Sequence, residues 1–335
     1  MEKALADGFY LAGFISYEAG YAFEKLFQNE RTYGFPLVCF GAYASPLSSP
    51  ISSENSFPSP SLMERGAEPC LPAGRSKGRG GVRMNYLSAL RKIKHYLSAG
   101  ETYQVNYTFK QKFIFRGAPH DLYQRLKRKQ ATPYSAFIET DKFTILSLSP
   151  ELFFRKKENL IEVKPMKGTI VPGKGNMEQL RNDPKNRSEN LMIVDLLRND
   201  LGRFAKVGTV KTTKLFEVEE YETLYQMTST IEARVPHDIE LHSIFKNLFP
   251  SGSVTGAPKI RTMQIIRELE KEDRNIYCGS IGFITPRKDM LFNIAIRTIR
   301  LKGENGEIGI GSGITYDSDP EEEYKECLLK AKFMC

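Results

Sequence analysis

A chain of 335 residues with ordinary shares of apolar and charged residues can bury a large core, and it contains no apolar run long enough to cross a bilayer. The formal charge is +8, yet basic residues are interleaved with acids, as in "RELEKEDR", and no basic stripe with aromatics or reader motif appears; membrane and nucleic acid are excluded as partners. Five scattered cysteines (Cys39, Cys70, Cys278, Cys327, Cys335) form no CxxC pair and four histidines lack metal-ligand spacing, which excludes a disulfide framework, a zinc site or a His triad and fits a reducing cytoplasm.

The opening "MEKALADGFYLAGFISYEAG" lacks the charged-then-apolar layout of a signal peptide, and residues 1–43 read as helix, strand, helix, strand. From about 45 to 82 the chain is rich in Ser, Pro and Gly. Such a segment cannot bury enough apolar surface to offset ordering, so a disordered insertion is expected. "NYLSALRKIKHYLSAG" has helical spacing and a C-cap signal at Gly100. "TYQVNYTFKQKFIF", "SAFIET", "FTILSLSPELFFRKK" and "NLIEVKPMKGTIV" read as strands with short turns. This irregular alternation predicts an α+β fold with antiparallel sheets, and length alone leaves one domain or two open.

In "IEVKPMKGTIVPG" the period-two alternation of a strand places Ile161, Val163, Pro165 and Lys167 on one face. Lys167 therefore points with the apolar residues. A buried ammonium needs a partner, and such lysines serve as nucleophiles; the alternative is a lysine snorkelling from a frayed strand end.

Further along, "NRSENLMIVDLLRNDLGR" has Ser188 as expected N-cap, and Glu189 heads a stripe with Met192, Ile193 and Leu196. A carboxylate there either holds a hard cation such as Mg2+ or only complements the helix dipole. In "FPSGSVTGAPKIRTMQIIREL", Thr255 is the expected N-cap of a helix opened by Ala257 and Pro258, with free N–H groups for an anion. Arg297 is expected to share a strand face with Asn293 and Ala295, aimed at a carboxylate. "GSG" at 311–313 offers a second nest. In the C-terminal "DPEEEYKECLLKAKF", Asp319 caps and Pro320 opens a helix, with Glu323, Glu326, Cys327 and Lys330 on one face; an ordinary Glu326–Lys330 surface pair is the alternative. One small dianion with a metal accounts for all of these together.

Taken in order, "KPMKGT", "SENLMIVDLLRNDLGR", "FPSGSVTGAPK", "YCGSIGF", "IAIRTI" and "GSGITYDSDPEEEYKECLLKAK" resemble the signatures of the chorismate-utilising enzymes, with "GFISYEAGYAFE" adding an N-terminal match. The resemblance implies two large antiparallel sheets packed together with helices outside, as a single domain over 1–335. It is greatest to the branch that turns chorismate and ammonia into 4-amino-4-deoxychorismate for 4-aminobenzoate and folate synthesis. That branch carries lysine in "KGT", where anthranilate-forming relatives usually carry alanine.

The resemblance implies that Lys167 attacks C2 of chorismate as the C4 hydroxyl leaves, that Glu151 in "SPELFF" protonates this hydroxyl, and that ammonia then attacks C4 and expels the lysine. It implies Mg2+ bound by Glu189 and Glu326 with Glu323 beside them. Substrate-binding roles fall to Thr169, Thr255, Gly256 and Tyr277, and to Arg297, Gly311, Gly313 and Lys330. Gln226 stands where the family usually has histidine; glutamine hydrogen-bonds but cannot titrate near neutrality, which disfavours the pyruvate elimination of the anthranilate branch. The implied partner is a separate glutamine amidotransferase subunit, since no nucleophile motif for glutaminase chemistry occurs in this chain. An anthranilate-forming enzyme and a non-catalytic chorismate-binding homologue are the competing readings, and the short N-terminus relative to the family implies an altered effector pocket.

Overall fold

Alternation of apolar and polar residues is realised as antiparallel strands throughout. The structure, a computed structural model, describes residues 1–27, 31–46, 79–130, 132–221 and 224–334. The N-terminal part contributes α1 (Glu2–Ala6), β1 (Tyr10–Ile15), α2 (Ala19–Ala22), β2 (Val38–Tyr43) and α3 (Arg79–Ser98), followed by β3 (Gln104–Ile114) and α4 (Pro119–Lys129). Then come β4 (Tyr134–Glu139), β5 (Thr144–Ser149), β6 (Leu152–Lys157), β7 (Leu160–Lys164), β8 (Met166–Ile170), α5 (Asn176–Asn182) and α6 (Pro184–Gly202). After these lie β9 (Lys211–Tyr221), β10 (Leu224–Arg234), α7 (Leu241–Leu248), β11 (Gly256–Ala257) and α8 (Lys259–Leu269). The chain closes with β12 (Ser280–Ile284), β13 (Met290–Asn293), β14 (Thr298–Lys302), β15 (Asn305–Ile314) and α9 (Pro320–Lys330).

The strands form two sheets, as the α+β expectation required. One runs β2-β1-β12-β13-β6-β7-β10-β8 with β9 also on β10; the other runs β11-β3-β15-β14-β5-β4. A shared apolar core reaches from Leu5 to Met334. At its centre Phe154 and Phe292, cross-strand partners on β6 and β13, stack at 5.2 Å and meet Phe245 of α7 edge-on. Full burial of each such ring stabilises the fold by about 1.5–3 kcal/mol.

Several local expectations change. The expected insertion at 45–82 lies largely outside the described residues, but its last residues, from Arg79, already belong to α3. The helix carrying Glu189 begins at Pro184, capped by Asp183, whose side chain accepts from Asn186 N, so Ser188 is inside the helix and Glu189 well past its first turn. Thr255 caps no helix: Gly256 and Ala257 pair with β3, and α8 starts only at Lys259. "GSG" is not a nest but straight strand, with Gly311, Ser312 and Gly313 opposite Thr108, Tyr107 and Asn106. Arg297 is on no strand; it sits at φ +49 on the crossover from β13 in one sheet to β14 in the other. By contrast, Asp319 caps α9 as expected, accepting from Glu321 N and Glu322 N.

Candidate active site

The site is built where the two sheets and two helices converge, around a cavity of about 990 Å³. β8 and the Arg297 crossover form part of its wall, α6 and α9 add others, and the glycine-rich end of β15 lies against it.

Lys167 owes its aim to a β-bulge. β7 and β8 pair with β10 in one register through Thr228↔Met166, after which Gln226 pairs with Thr169, so Lys167 and Gly168 together oppose Met227. A bulge turns a side chain out of the regular alternation. Gly168 takes φ +78, a conformation costly for any residue with a Cβ, and a Cβ there would also meet Asn186 at 2.7 Å. Gln226 fastens the bulge from the neighbouring strand: its Nε2 donates to Gly168 O at 2.6 Å, and Thr169 Oγ1 donates to its Oε1 at 2.8 Å. Lys167 Nζ then lies 3.7 Å from Glu189 Oε2, both side chains being mostly buried. β15 approaches from below, and a Cβ at Gly313 would stand 3.3 Å from Lys167 Nζ.

Glu151 lies in the turn between β5 and β6 and is 4% exposed. Burial pushes its carboxyl up to about 7, against the opposing pull of a hydrogen bond from Ser253 and the charge of Lys167. Ser253 Oγ donates to Glu151 Oε1 at 2.7 Å. A carboxyl at that value can be a proton donor near neutrality. Nothing within "PSGSVTG" marks Ser253, because its partner Glu151 lies 102 residues earlier in the chain.

The helix-borne acids also reach the cavity. Glu326 and Lys330 are both half-exposed, and the Lys330 charge 2.7 Å away holds the Glu326 carboxyl below the ordinary range, with help from Lys185 and Lys167. Lys330 reaches Gly311 O as well, at 3.3 Å. Glu323 accepts from Ser318 Oγ at 2.7 Å. Arg297 contrasts with all of these: burial lowers its pKa, its Nη1 donates to Gln130 Oε1 at 3.3 Å, and among the described residues no carboxylate forms an ion pair with it. A partly buried guanidinium of that kind is matched to an anionic ligand.

The structure thus brings Lys167, Glu151, Thr169, Glu189, Gln226, Tyr277, Arg297, Gly311, Gly313, Glu323, Glu326 and Lys330 to one cavity. It does not bring Thr255 and Gly256 there. Thr255 is fully buried with its hydroxyl donating to Ser251 O, and Gly256 packs against Gln104 O behind the lining residues Ser253 and Val254.

Glu189 and Glu326 offer hard oxygen donors from two helices. Among the described residues no three acidic, His or Cys side chains converge as a cage. Carboxylates without a cage suit Mg2+, which is commonly held by one or two of them together with water and substrate oxygens. Also among the described residues, no helix is long and apolar enough to cross a membrane.

Residues 78–335 match the model of the chorismate binding enzyme family. The chain is 40% identical over 254 residues to "Aminodeoxychorismate synthase component 1" of Klebsiella aerogenes, a match covering 74% of this chain and 56% of that protein. It is 36% identical over 249 residues to "Anthranilate synthase component 1" of Aquifex aeolicus, covering 72% and 50%. The chain spans about half the length of the curated relatives it matches. Among solved structures, anthranilate synthase component I from Streptococcus pneumoniae TIGR4 superposes with a TM-score of 0.81 at 28% identity, covering 98% of this chain and 80% of that one.

Proposed function

This chain belongs to the chorismate binding enzyme family, and from that premise we propose that it converts chorismate and ammonia into 4-amino-4-deoxychorismate, as an aminodeoxychorismate synthase component 1. The observation that carries this reading is a bulge-aimed lysine and an acid raised to about 7 on one cavity whose partly buried arginine has no carboxylate partner among the described residues.

In the proposed reaction Arg297 grips a substrate carboxylate with paired N–H bonds and orients the ring. The free amine of Lys167 forms a bond to C2 while the ring double bonds shift and the C4–O bond breaks. Glu151 gives its proton to that oxygen, which leaves as water. Ammonia then bonds to C4 as the C2–Nζ bond breaks, and its surplus proton ends on the released lysine. Splitting the substitution in this way replaces one difficult step by two easier ones. Glu189 and Glu326, with Glu323 beside them, would hold Mg2+, whose charge offsets that of the substrate carboxylate. Gln226 and Gly168 keep Lys167 aimed, and Tyr277 closes the wall beside β15.

We assign the ammonia supply to a separate glutamine amidotransferase subunit, a reading supported by the "component 1" in the relatives' names. The compartment we assign is the cytoplasm, where the free thiols of Cys39, Cys278 and Cys327 are stable. The deciding experiment is product identification by chromatography and mass spectrometry after incubation with chorismate, Mg2+ and an ammonium salt. Formation of 4-amino-4-deoxychorismate is the expected result. Anthranilate would overturn it in favour of the reaction named for the Aquifex relative.

A further inference from the structure

Gln104, the first residue of β3, is 1% exposed, and among the described residues neither its Nε2 nor its Oε1 has a hydrogen-bond partner. A buried amide left without partners is unfavourable, and native structures seldom tolerate it unless a guest fills the gap. Its backbone is held in place: Ala257 is its strand partner and Thr102 Oγ1 donates to its carbonyl. Asn106, two residues on and on the same face, uses its amide to donate to Val254 O. Gln104 has no such tie. Its amide lies beside the nucleophile, since the point where a Cβ of Gly313 would sit is 2.2 Å from Gln104 Nε2 and 3.3 Å from Lys167 Nζ.

Resting on the function proposed above, we infer that Gln104 is the receiving site for ammonia. Nε2 and Oε1 are both unpaired, so the amide can turn to present its oxygen in place of Nε2, and that oxygen accepts an N–H of the incoming molecule while leaving its lone pair free. The amide is neutral at every working pH, so, unlike the negative charge of a carboxylate, it does not favour ammonium over ammonia. Ammonia held there forms its bond to C4 as the C2–Nζ bond breaks, and the proton shed by the new ammonium passes to the departing Lys167 amine.

The test uses the whole chain with chorismate, Mg2+ and ammonium chloride, comparing wild type with Gln104→Leu and Gln104→Asn. The expected result is a rise in KM for ammonia of roughly tenfold in Gln104→Leu, about one lost hydrogen bond, and a smaller rise in Gln104→Asn. KM for chorismate stays unchanged, as does the yield of chorismate-derived lysine adduct trapped without ammonia and read by intact mass. Unaltered ammonia saturation in both variants would overturn the inference, leaving a water as the guest. A parallel rise in KM for chorismate would also overturn it, because Gln104 would then hold the ring. Absence of 4-amino-4-deoxychorismate with wild type defeats the functional reading itself, a result distinct from either.

Discussion

Helix α6 carries two lysine–carboxylate pairs on one face, about three turns apart, and they are built differently. Towards its C-terminal end Asp200 meets Lys259 at 2.5 Å, with side chains 2% and 13% exposed, and Lys259 also donates to Leu248 O at 3.0 Å. Burial lowers the pKa of Lys259 and raises that of Asp200, each restrained by the other's charge. Nearer the N-terminal end Glu189 faces Lys167 at 3.7 Å across the edge of a cavity. The first pair is closed and fully committed; the second is loose and open to a ligand. Burial of a lysine therefore says little about its task until the space around its nitrogen is known.

The sharpest way to break this comparison is to replace each lysine by methionine. Lys167→Met should lower formation of 4-amino-4-deoxychorismate by roughly 10³-fold or more, as for loss of a covalent nucleophile, with little change in the denaturant midpoint. Lys259→Met should leave Asp200 as a buried unpaired charge and cost about 3–5 kcal/mol of stability by chemical denaturation. If Lys167→Met instead unfolds the protein while keeping turnover, the two ends of α6 have been assigned the wrong way round.

Two glutamates extend the contrast. Burial raises both Glu18 and Glu151 to about 7, but Glu18 accepts from the backbone N–H groups of Arg274 and Asn275, whereas Glu151 faces Ser253 and the cavity. Glu151→Gln should reduce turnover by about 10²–10⁴-fold, the range for a lost general acid, and Glu18→Gln should leave it nearly intact. Stability should report both alike. An acid raised from 4.5 to about 7 on folding contributes its stability fully below 4.5 and loses it as the pH climbs through about 7. Each substitution should therefore flatten part of the decline in denaturant midpoint between pH 4.5 and 7; a decline unchanged in both would mean neither carboxyl is neutral in the folded state.

A smaller effect is expected at the bulge. Gln226→Leu keeps the volume but strips the partners of Gly168 O and Thr169 Oγ1. A slight misplacement of Lys167 should lower kcat by roughly tenfold with KM for chorismate nearly unchanged. Equal kcat values would show that Gly168 alone holds the bulge.

What was legible in the sequence follows the range of the forces involved. Asp319 and Pro320 announce α9 because cap and helix are neighbours, whereas the regular alternation that singles out Lys167 takes no account of the bulge that aims it. Asp183 and Pro184 carry the same local signal, but the polar first turn they open hides it, and Ser188 reads as the cap instead. Arg297 reads as a strand residue because nothing near it reveals that the chain there passes from one sheet to the other. "GSG" fits a turn or a strand equally well until β3, some two hundred residues earlier, supplies the register. The same distance hid Gln104 and Ser253, which matter only through what the fold sets beside them.

Ser253 provides the finest test of the difference between the open site and the closed pairs. Its hydroxyl hydrogen bond favours the ionised form of Glu151 and so works against the burial that raises the carboxyl to about 7. Removing it in Ser253→Ala should raise that pKa further. Because Glu151 acts in its protonated form, the alkaline limb of the kcat profile should move up by about one pH unit, and kcat at pH 6 should hardly change. A pure packing role would lower kcat equally at every pH and leave the limb where it was. Gain of activity above pH 7 from deletion of a hydroxyl is an outcome that only a tuned acid produces, and the profile separates it from simple damage to the cavity wall.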